Sequence, residues 1–109
     1  MNWKVTYLPE ALEDFRKLDG SQKLLVRKAI DKVSQNPLPE NEGGYGKPLG
    51  YHQTLNLSGF LKIKLRGAGL RIVYQLIRQD GAMLLVITGA REDDEVYELA
   101  ESRIKKHNL

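Results

Sequence analysis

The chain has 109 residues, of which 41% are hydrophobic and 28% are charged, and its formal net charge is +3. This length predicts a single domain spanning residues 1–109. The absence of cysteine excludes disulfides, thiolate nucleophiles and cysteine-ligated metal. Because no stretch resembles a signal peptide or an apolar membrane span, we expect a cytoplasmic protein that does not associate with a membrane.

The basic residues of the chain are concentrated in its middle. From Gly43 to Arg78 there are six lysines and arginines, and all 14 acidic residues lie outside this segment. A uniformly basic protein would indicate loose electrostatic adhesion. A positive segment in an otherwise acidic chain instead predicts a localised site for an anion.

The first third of the chain predicts one strand and two helices. Residues 2–8 alternate as in a half-buried strand. Pro9 begins a short amphipathic helix that continues to about residue 18. We expect Ser21 to cap a longer helix, which ends near Gln35 before Asn36-Pro37. A loop rich in Pro, Gly and Asn then spans residues 37–58, and its length indicates a functional or mobile segment.

Residues 60–78 predict a β-hairpin that turns at Gly67-Ala68-Gly69. Lys62, Lys64 and Arg66 occupy alternate positions of its first strand, with apolar residues between them. Successive side chains of a strand point to opposite faces, so one face is cationic and the other apolar.

The last third predicts one more strand and a helix. Residues 82–89 are almost continuously apolar, as in a strand covered on both faces. Asp93 or Asp94 can cap the final helix. We expect this helix to bury a stripe formed by Val96, Leu99, Ala100, Arg103 and Ile104. The order β-α-α-β-β-β-α defines an α+β fold, with an antiparallel-rich four-stranded sheet, two N-terminal helices and a C-terminal helix.

The basic segment offers little support for metal chemistry. A two-metal nuclease needs converging carboxylates, which this segment lacks, and we expect neither a metal nor a cofactor. The acidic run Glu92–Glu95 is explained by its position at a helix start. His52 and His107 are the two histidines, and for each an exposed polar role is favoured over a catalytic one.

A cluster of cations with one tyrosine is the stronger candidate site. Lys62, Lys64, Arg71 and Arg91 could surround a phosphate, with Tyr97 nearby on the last helix. Hydrogen bonds from such cations strengthen as negative charge develops in a phosphoryl transition state. Two simpler interpretations stay open. The lysines could form the solvated face of an edge strand, and Tyr97 could be a packing residue.

The sequence resembles the RelE group of bacterial toxins in the RelE/ParE superfamily. The matching stretches are LKIKLRGAGLRIVYQL, ITGAREDDEVYELAESRIKK and the motif GKPLG at residues 46–50, and the similarity covers nearly the whole chain. The specific feature is the combined set of Lys62, Lys64, Arg66, Arg71, Tyr74, Arg91, Glu95, Val96 and Tyr97.

The resemblance implies a toxin of a type II toxin–antitoxin system that cleaves mRNA. The expected activity is that of a ribosome-dependent endoribonuclease, an mRNA interferase that inhibits translation by cutting the codon in the ribosomal A site. The 2′-hydroxyl of the message would act as the nucleophile, without a metal. The implied partners are a cognate antitoxin, with which the toxin forms a hetero-oligomer, and the ribosome, through 16S rRNA and A-site mRNA.

The resemblance also assigns roles to individual residues. The family's catalytic positions fall on Lys62, Lys64, Arg71, Arg91 and Tyr97. Either Tyr97 or Lys62 would remove the 2′-hydroxyl proton, Arg71 and Lys64 would stabilise the phosphorane, and Arg91 would assist the leaving 5′-oxygen. We expect three further cations to bind RNA: Lys28, Lys47 and Arg66. For Lys28, on the second predicted helix, a solvated surface position is an equally good explanation.

Two alternatives remain at this stage. The chain could be a ParE-like toxin that acts on DNA gyrase without nuclease chemistry, or an inactive member that binds an antitoxin as a corepressor. The complete Lys/Arg/Tyr set favours the nuclease. Leu70, where an aromatic residue is common in the family, could weaken base stacking.

Overall fold

The computed structural model describes residues 3–52, 55–90 and 95–109, with side chains described for all of these except 51, 52, 55, 56 and 90. These described ranges contain three α-helices and five β-strands. In chain order these are β1 (Lys4–Tyr7), α1 (Pro9–Arg16), α2 (Gly20–Val33), β2 (Lys47–His52), β3 (Leu55–Leu65), β4 (Leu70–Ile77), β5 (Ala82–Ala90) and α3 (Glu95–Lys106). Within the described ranges, every helix is too short or too polar to cross a bilayer.

The strands form one mixed sheet in the order β1-β5-β4-β3-β2. β1 runs parallel to β5, whereas the other neighbours are antiparallel. The α+β class and the antiparallel-rich sheet are confirmed, but the predicted count of four strands is wrong. The additional strand is β2, which lies in the segment predicted as a loop.

β2 was missed because its sequence lacks the local signals of a strand. The segment contains Pro48 and Gly50, which are both unfavourable inside a strand. The β2–β3 register also shifts between these two residues, and Gly50 has a φ of +62°. Pairing with β3 therefore stabilises a strand that its own residues do not specify, and Pro48 is tolerated because β2 lies at the edge of the sheet.

The central hairpin is confirmed. β3 pairs with β4 from Phe60↔Gln75 to Leu65↔Leu70. A turn of 3₁₀ helix at Arg66–Ala68 joins the strands, and Gly69 ends it with a φ of +65° that glycine adopts without strain. β5 is buried along most of its length, as its apolar sequence predicts.

The cap of α2 differs from the prediction. Asp19, not Ser21, is the N-cap residue, and its carboxylate accepts a hydrogen bond from the Gln22 amide at 2.8 Å. The Gln22 side chain in turn accepts from the Asp19 amide, which completes a capping box. Ser21 instead donates its hydroxyl to the Asp19 carboxylate. The Asp-x-x-Gln spacing was a readable sequence signal for this cap.

The buried side of α3 is rotated from the predicted stripe. Val96, Ala100 and Ile104 are buried as expected, but Leu99 is 45% exposed and Tyr97 is completely buried. The helix packs on β3 and β5, and this orientation turns Tyr97 toward the sheet. The predicted caps of this helix, Asp93 and Asp94, lie outside the described residues.

Arg103, expected in the apolar stripe, has a different role. Its guanidinium donates to the Asp14 carboxylate at 2.6 and 3.1 Å and to the Val86 carbonyl at 3.0 Å. The Asp14 carboxylate also accepts the Thr88 amide at 3.2 Å. This partly buried ion pair connects α1, β5 and α3.

Candidate functional site

The strand registers place four cations on one face of the sheet. Lys64 pairs with Arg71 across β3 and β4, and Lys62 pairs with Lys47 across β3 and β2. Residues directly opposite each other in an antiparallel pair share a face, and so do residues two apart on one strand. Lys47, Lys62, Lys64 and Arg71 therefore project together from the edge half of the sheet.

Tyr97 of α3 packs against this group of cations. The Arg71 Nη1 group donates a hydrogen bond to the Tyr97 hydroxyl. The Arg71 guanidinium carbon lies 5.5 Å from the centre of the Tyr97 ring, and the Lys62 ammonium lies 5.8 Å from it. Aromatic rings attract cations at this range. The electron-rich ring thus allows positive charges to be held close together.

Gly89 allows α3 to approach the sheet closely at this point. It pairs with Arg71 in the β4–β5 register, and a Cβ atom at Gly89 would lie 3.2 Å from the Val96 side chain. That separation is tighter than most real contacts of a Cβ atom. The small residue therefore lets the helix position Tyr97 over the cations.

Arg71 retains an unused hydrogen-bond donor. Its Nε atom is buried and has no hydrogen-bond partner among the described residues. A buried polar group left in this state costs roughly 1–3 kcal/mol and is uncommon in folded proteins. An anionic oxygen bound beside Arg71 would supply the missing acceptor.

Burial and neighbouring positive charges lower the pKa values of Lys62 and Lys64. Partial burial lowers the pKa of Lys62, and the positive charges of Arg71 and Lys47 lower it further. The pKa of Lys64 is lowered chiefly by the charge of Lys62. Each lysine is therefore neutral in a larger fraction of molecules than an isolated lysine would be.

A cavity of about 450 Å³ adjoins the cations. Lys47, Lys62, Lys64 and Arg66 all line it, so three elements contribute charge to the same space. The predicted RNA-binding residues Lys47 and Arg66 thus lie beside the catalytic candidates. Lys28, the third, is exposed on α2 and does not line this cavity.

The remaining predicted residues are those outside the described part of the chain and His107. Arg91 lies outside the described residues, as do Glu92, Asp93, Asp94 and the side chain of His52. His107 is at the end of α3, where its Nε2 lies 3.0 Å from the Glu10 carboxylate. Hydrogen bonds from Lys106 and His107 lower the pKa of Glu10 to about 2. Because Glu10 lies on α1, the contact with His107 connects α1 to the end of α3. No potential metal-binding group of three or more His, Asp or Glu side chains occurs in the described part of the chain.

Tyr74, part of the motif that carried the family resemblance, is a structural residue. It is fully buried, and its hydroxyl donates to the Pro37 carbonyl at 2.7 Å. Burial raises its pKa. A Cβ atom at Gly46 would lie only 2.2 Å from this hydroxyl. Tyr74 and Gly46 therefore fasten the segment before β2 to the face of the sheet opposite the lysines.

Comparison with known proteins agrees with the fold. The mRNA interferase toxin RelE of Escherichia coli K12 is 34% identical over 94 residues, which are 86% of this chain and 88% of that protein. A free mutant form of the E. coli toxin RelE has a TM-score of 0.71 at 28% identity, covering 95% of this chain and 99% of that one. The toxin of the intact E. coli RelBE toxin–antitoxin complex has a TM-score of 0.63 at 26% identity, over 84% and 99% of the two chains. No protein-family model matches the sequence.

These similarities extend over nearly the full length of both chains, and they accompany the five-stranded sheet with the cations on its face. The chain belongs to the RelE toxin family.

Proposed function

We propose that this protein is the toxin of a toxin–antitoxin system and cleaves mRNA in the ribosomal A site. The E. coli relative is named an mRNA interferase. The observation that carries the proposal is the packing of Lys62 and Arg71 on Tyr97, with Lys64 opposite Arg71 on the sheet. The buried Arg71 Nε has no hydrogen-bond partner among the described residues. A phosphodiester is the anion that such a group of donors would hold in a messenger RNA.

The reaction we propose is attack by the 2′-hydroxyl of the message on its own neighbouring phosphorus. The O2′–P bond forms and the P–O5′ bond breaks, which yields a 2′,3′-cyclic phosphate and a 5′-hydroxyl. One proton leaves the 2′-oxygen and one reaches the 5′-oxygen. Negative charge accumulates on the phosphorane between these events, and fixed cations stabilise it more than they stabilise the substrate. Cationic side chains can supply this stabilisation without a metal.

Lys62 is the stronger of the two candidates for general base. It is half-buried and reaches the cavity, and its lowered pKa increases the neutral fraction that can accept a proton. Tyr97 has no exposed surface and its hydroxyl already accepts a hydrogen bond from Arg71. In this arrangement Tyr97 orients Arg71 rather than contacting RNA.

The remaining roles follow from charge and position. Arg71 and Lys64 face each other across β3 and β4, so both can contact the same phosphorane. We assign the leaving 5′-oxygen to Arg91 on the family pattern alone. Since arginine is a very poor proton donor, its contribution would be electrostatic.

Two kinds of partner belong to this proposal. The ribosome would place the A-site codon against the cationic face, and exposed basic residues such as Lys28 would contact 16S rRNA phosphates. The E. coli relative was solved in complex with its antitoxin. We propose that a cognate antitoxin likewise forms a hetero-oligomer with this chain.

Primer extension on programmed ribosomes tests the proposal. Purified ribosomes carrying a defined message are incubated with wild-type protein or with the Lys64→Ala variant, and the same message is incubated without ribosomes. We expect cuts confined to the A-site codon with wild type, a loss of at least 100-fold with the variant, and no cuts in free message.

Either of two results would contradict this proposal. Cleavage of free message at equal rates would remove the requirement for the ribosome. The absence of cleavage on active ribosomes would exclude the interferase, and gyrase inhibition or silent antitoxin binding would then be measured.

A further inference from the structure

A second RNA contact lies beside the proposed cleavage site. The Tyr45 side chain is 49% exposed and lines the same cavity as Lys62 and Lys64. We propose that Tyr45 is a stacking platform for an unpaired RNA base that neighbours the scissile phosphate. This inference extends the proposed function by adding a base-binding subsite to it.

Tyr45 is presented by a backbone that is held in place. Its amide donates to the Asn36 carbonyl at 3.0 Å, and the amide of Gly46 donates to the Leu38 carbonyl at 3.0 Å. A Cβ atom at Gly44 would lie 2.0 Å from the Leu38 carbonyl oxygen, so only glycine permits this fold of the segment. A fixed ring loses little conformational freedom on binding, which favours recognition.

The shape of the cavity follows from where β2 begins. Lys47 is the first residue of β2 and pairs with Lys62, so the outer edge of β3 has no strand partner beyond this point. Ile63 and Leu65, on the opposite face from the lysines, therefore line the same cavity. An apolar wall beside Tyr45 suits the flat face of a base.

The charges around Tyr45 favour RNA as the occupant. The Lys32 ammonium lies 5.2 Å from the centre of the Tyr45 ring. Among the described residues, every charged side chain that lines the cavity is basic: Lys32, Lys47, Lys62, Lys64 and Arg66. An aromatic surface within a cationic groove is the arrangement that binds single-stranded nucleic acid, because bases stack while cations contact the backbone.

The occupant can be tested without cleavage. A short oligonucleotide of 2′-O-methyl uridines cannot be cut by 2′-hydroxyl attack, so its binding to the full chain is measured by fluorescence anisotropy at low salt. The variants are Tyr45→Leu and Tyr45→Trp. The matched control is Tyr7→Leu, since Tyr7 is 38% exposed on β1 at the opposite edge of the sheet. Thermal unfolding of each variant verifies its fold.

We expect Tyr45→Leu to weaken binding by about 5- to 150-fold, which is the value of one stacked base. Tyr45→Trp should bind at least as tightly as wild type, and Tyr7→Leu should leave affinity unchanged. An oligonucleotide with one abasic position should weaken wild-type binding by the same factor. The Tyr45→Leu variant should be insensitive to that abasic position.

Two outcomes would overturn the inference. One is equal affinity of wild type and Tyr45→Leu, including the case in which neither binds. The other is that every single abasic position weakens Tyr45→Leu as much as wild type. The same abasic comparison made with Tyr45→Gln keeps the test decisive if Tyr45→Leu fails to fold. Ribosomal cleavage by wild type reports separately on the proposed function.

Discussion

At the scale of single residues, the protein places several cations close to the Tyr97 ring and to the Arg71 Nε, a buried donor that has no partner in the described parts of the chain. Lys62 pairs with Lys47 in the β2–β3 register. The ammonium group of Lys62 lies over the ring of Tyr97. Cations held close together raise one another's free energy, and this cost is relieved when an anion binds or a lysine loses its proton. The repulsion between these cations therefore destabilises the folded state, although the same cations favour binding of a phosphate.

The first prediction concerns the pH dependence of cleavage. If neutral Lys62 is the base, the rate rises with pH through its lowered pKa. The charge of Lys47 contributes to that lowering, so Lys47→Gln should raise the pKa of Lys62 and move the rising limb to higher pH. Single-turnover cleavage on ribosomes across a pH series measures this, and Lys17→Gln is the control for loss of one exposed charge. If the cleavage rate of Lys47→Gln rises over the same pH range as that of wild type, Lys62 is not the general base.

The second prediction separates orientation from proton transfer at Tyr97. Tyr97→Phe keeps the ring that contacts Lys62 and Arg71 but removes the hydroxyl that accepts from Arg71. We expect the cleavage rate to fall roughly tenfold, because Arg71 loses its orientation, while ribosome binding and the rising pH limb are retained. A fall of 10²–10⁴-fold in the cleavage rate is typical of a missing general base. Such a fall, together with loss of the rise in rate with pH, would identify Tyr97 as the base. An unchanged rate would make it a packing residue.

The third prediction concerns the cost of the charge cluster to folding. The folded-state pKa of Lys62 is lowered, so its charged form is disfavoured in the fold. This penalty is largest below the folded-state pKa of Lys62 and is lost as the pH rises from that pKa to the higher unfolded-state pKa. Lys62→Met should therefore raise the melting temperature by a few degrees while abolishing cleavage. Calorimetry at neutral pH tests this, with Lys28→Met as the exposed control, and a lower melting temperature for Lys62→Met would contradict it.

At the scale of secondary-structure elements, α3 must stay in one position for Tyr97 to meet Arg71. The Asp14–Arg103 ion pair contributes to this, because both side chains are only 16% exposed and the pair spans α1 and α3. The Val86 carbonyl and the Thr88 amide extend the hydrogen bonds to β5. The helix that bears Tyr97 is thereby attached to the sheet at its far end.

The fourth prediction follows from that attachment. Asp14→Ala leaves a largely buried guanidinium without its carboxylate, so we expect a loss of about 3 kcal/mol in the free energy of unfolding. The control is Glu13→Ala, because the Glu13–Arg16 pair is more than half exposed and should contribute below about 1 kcal/mol. Urea denaturation followed by circular dichroism measures both. Equal losses in the two variants would show that the Asp14 ion pair does not hold α3.

Local sequence specified some of these elements and could not specify others. The hairpin from Phe60 to Arg78 was predictable because strand alternation and Gly69 act over a few residues. β2 was not, because Pro48 and Gly50 oppose a strand that only the edge of β3 stabilises. Arg103 was placed in an apolar stripe because Asp14, its partner, lies 89 residues away in the chain.

At the scale of the whole molecule, folding brings four cations from the basic middle of the sequence onto one face of the sheet. β3 and β4 bring Lys62, Lys64 and Arg71 together, and α3 adds Tyr97 from 26 residues beyond Arg71. The composition predicted an anion site in this segment, and the family resemblance identified the residues that form it. Neither could show that Tyr97 is fully buried or that Tyr45 shares the cavity. Both depend on long-range packing.

The identity of the attacking nucleophile can be tested on programmed ribosomes. Ribosomes are programmed with a message whose A-site codon carries either normal ribose or a single 2′-deoxyribose immediately 5′ of the scissile phosphate, and the products are analysed for their end groups. We expect cleavage of the ribose message only, with a 2′,3′-cyclic phosphate and a 5′-hydroxyl at the new ends. Cleavage of the 2′-deoxy message at the same bond, or a 5′-phosphate at the new end, would contradict it.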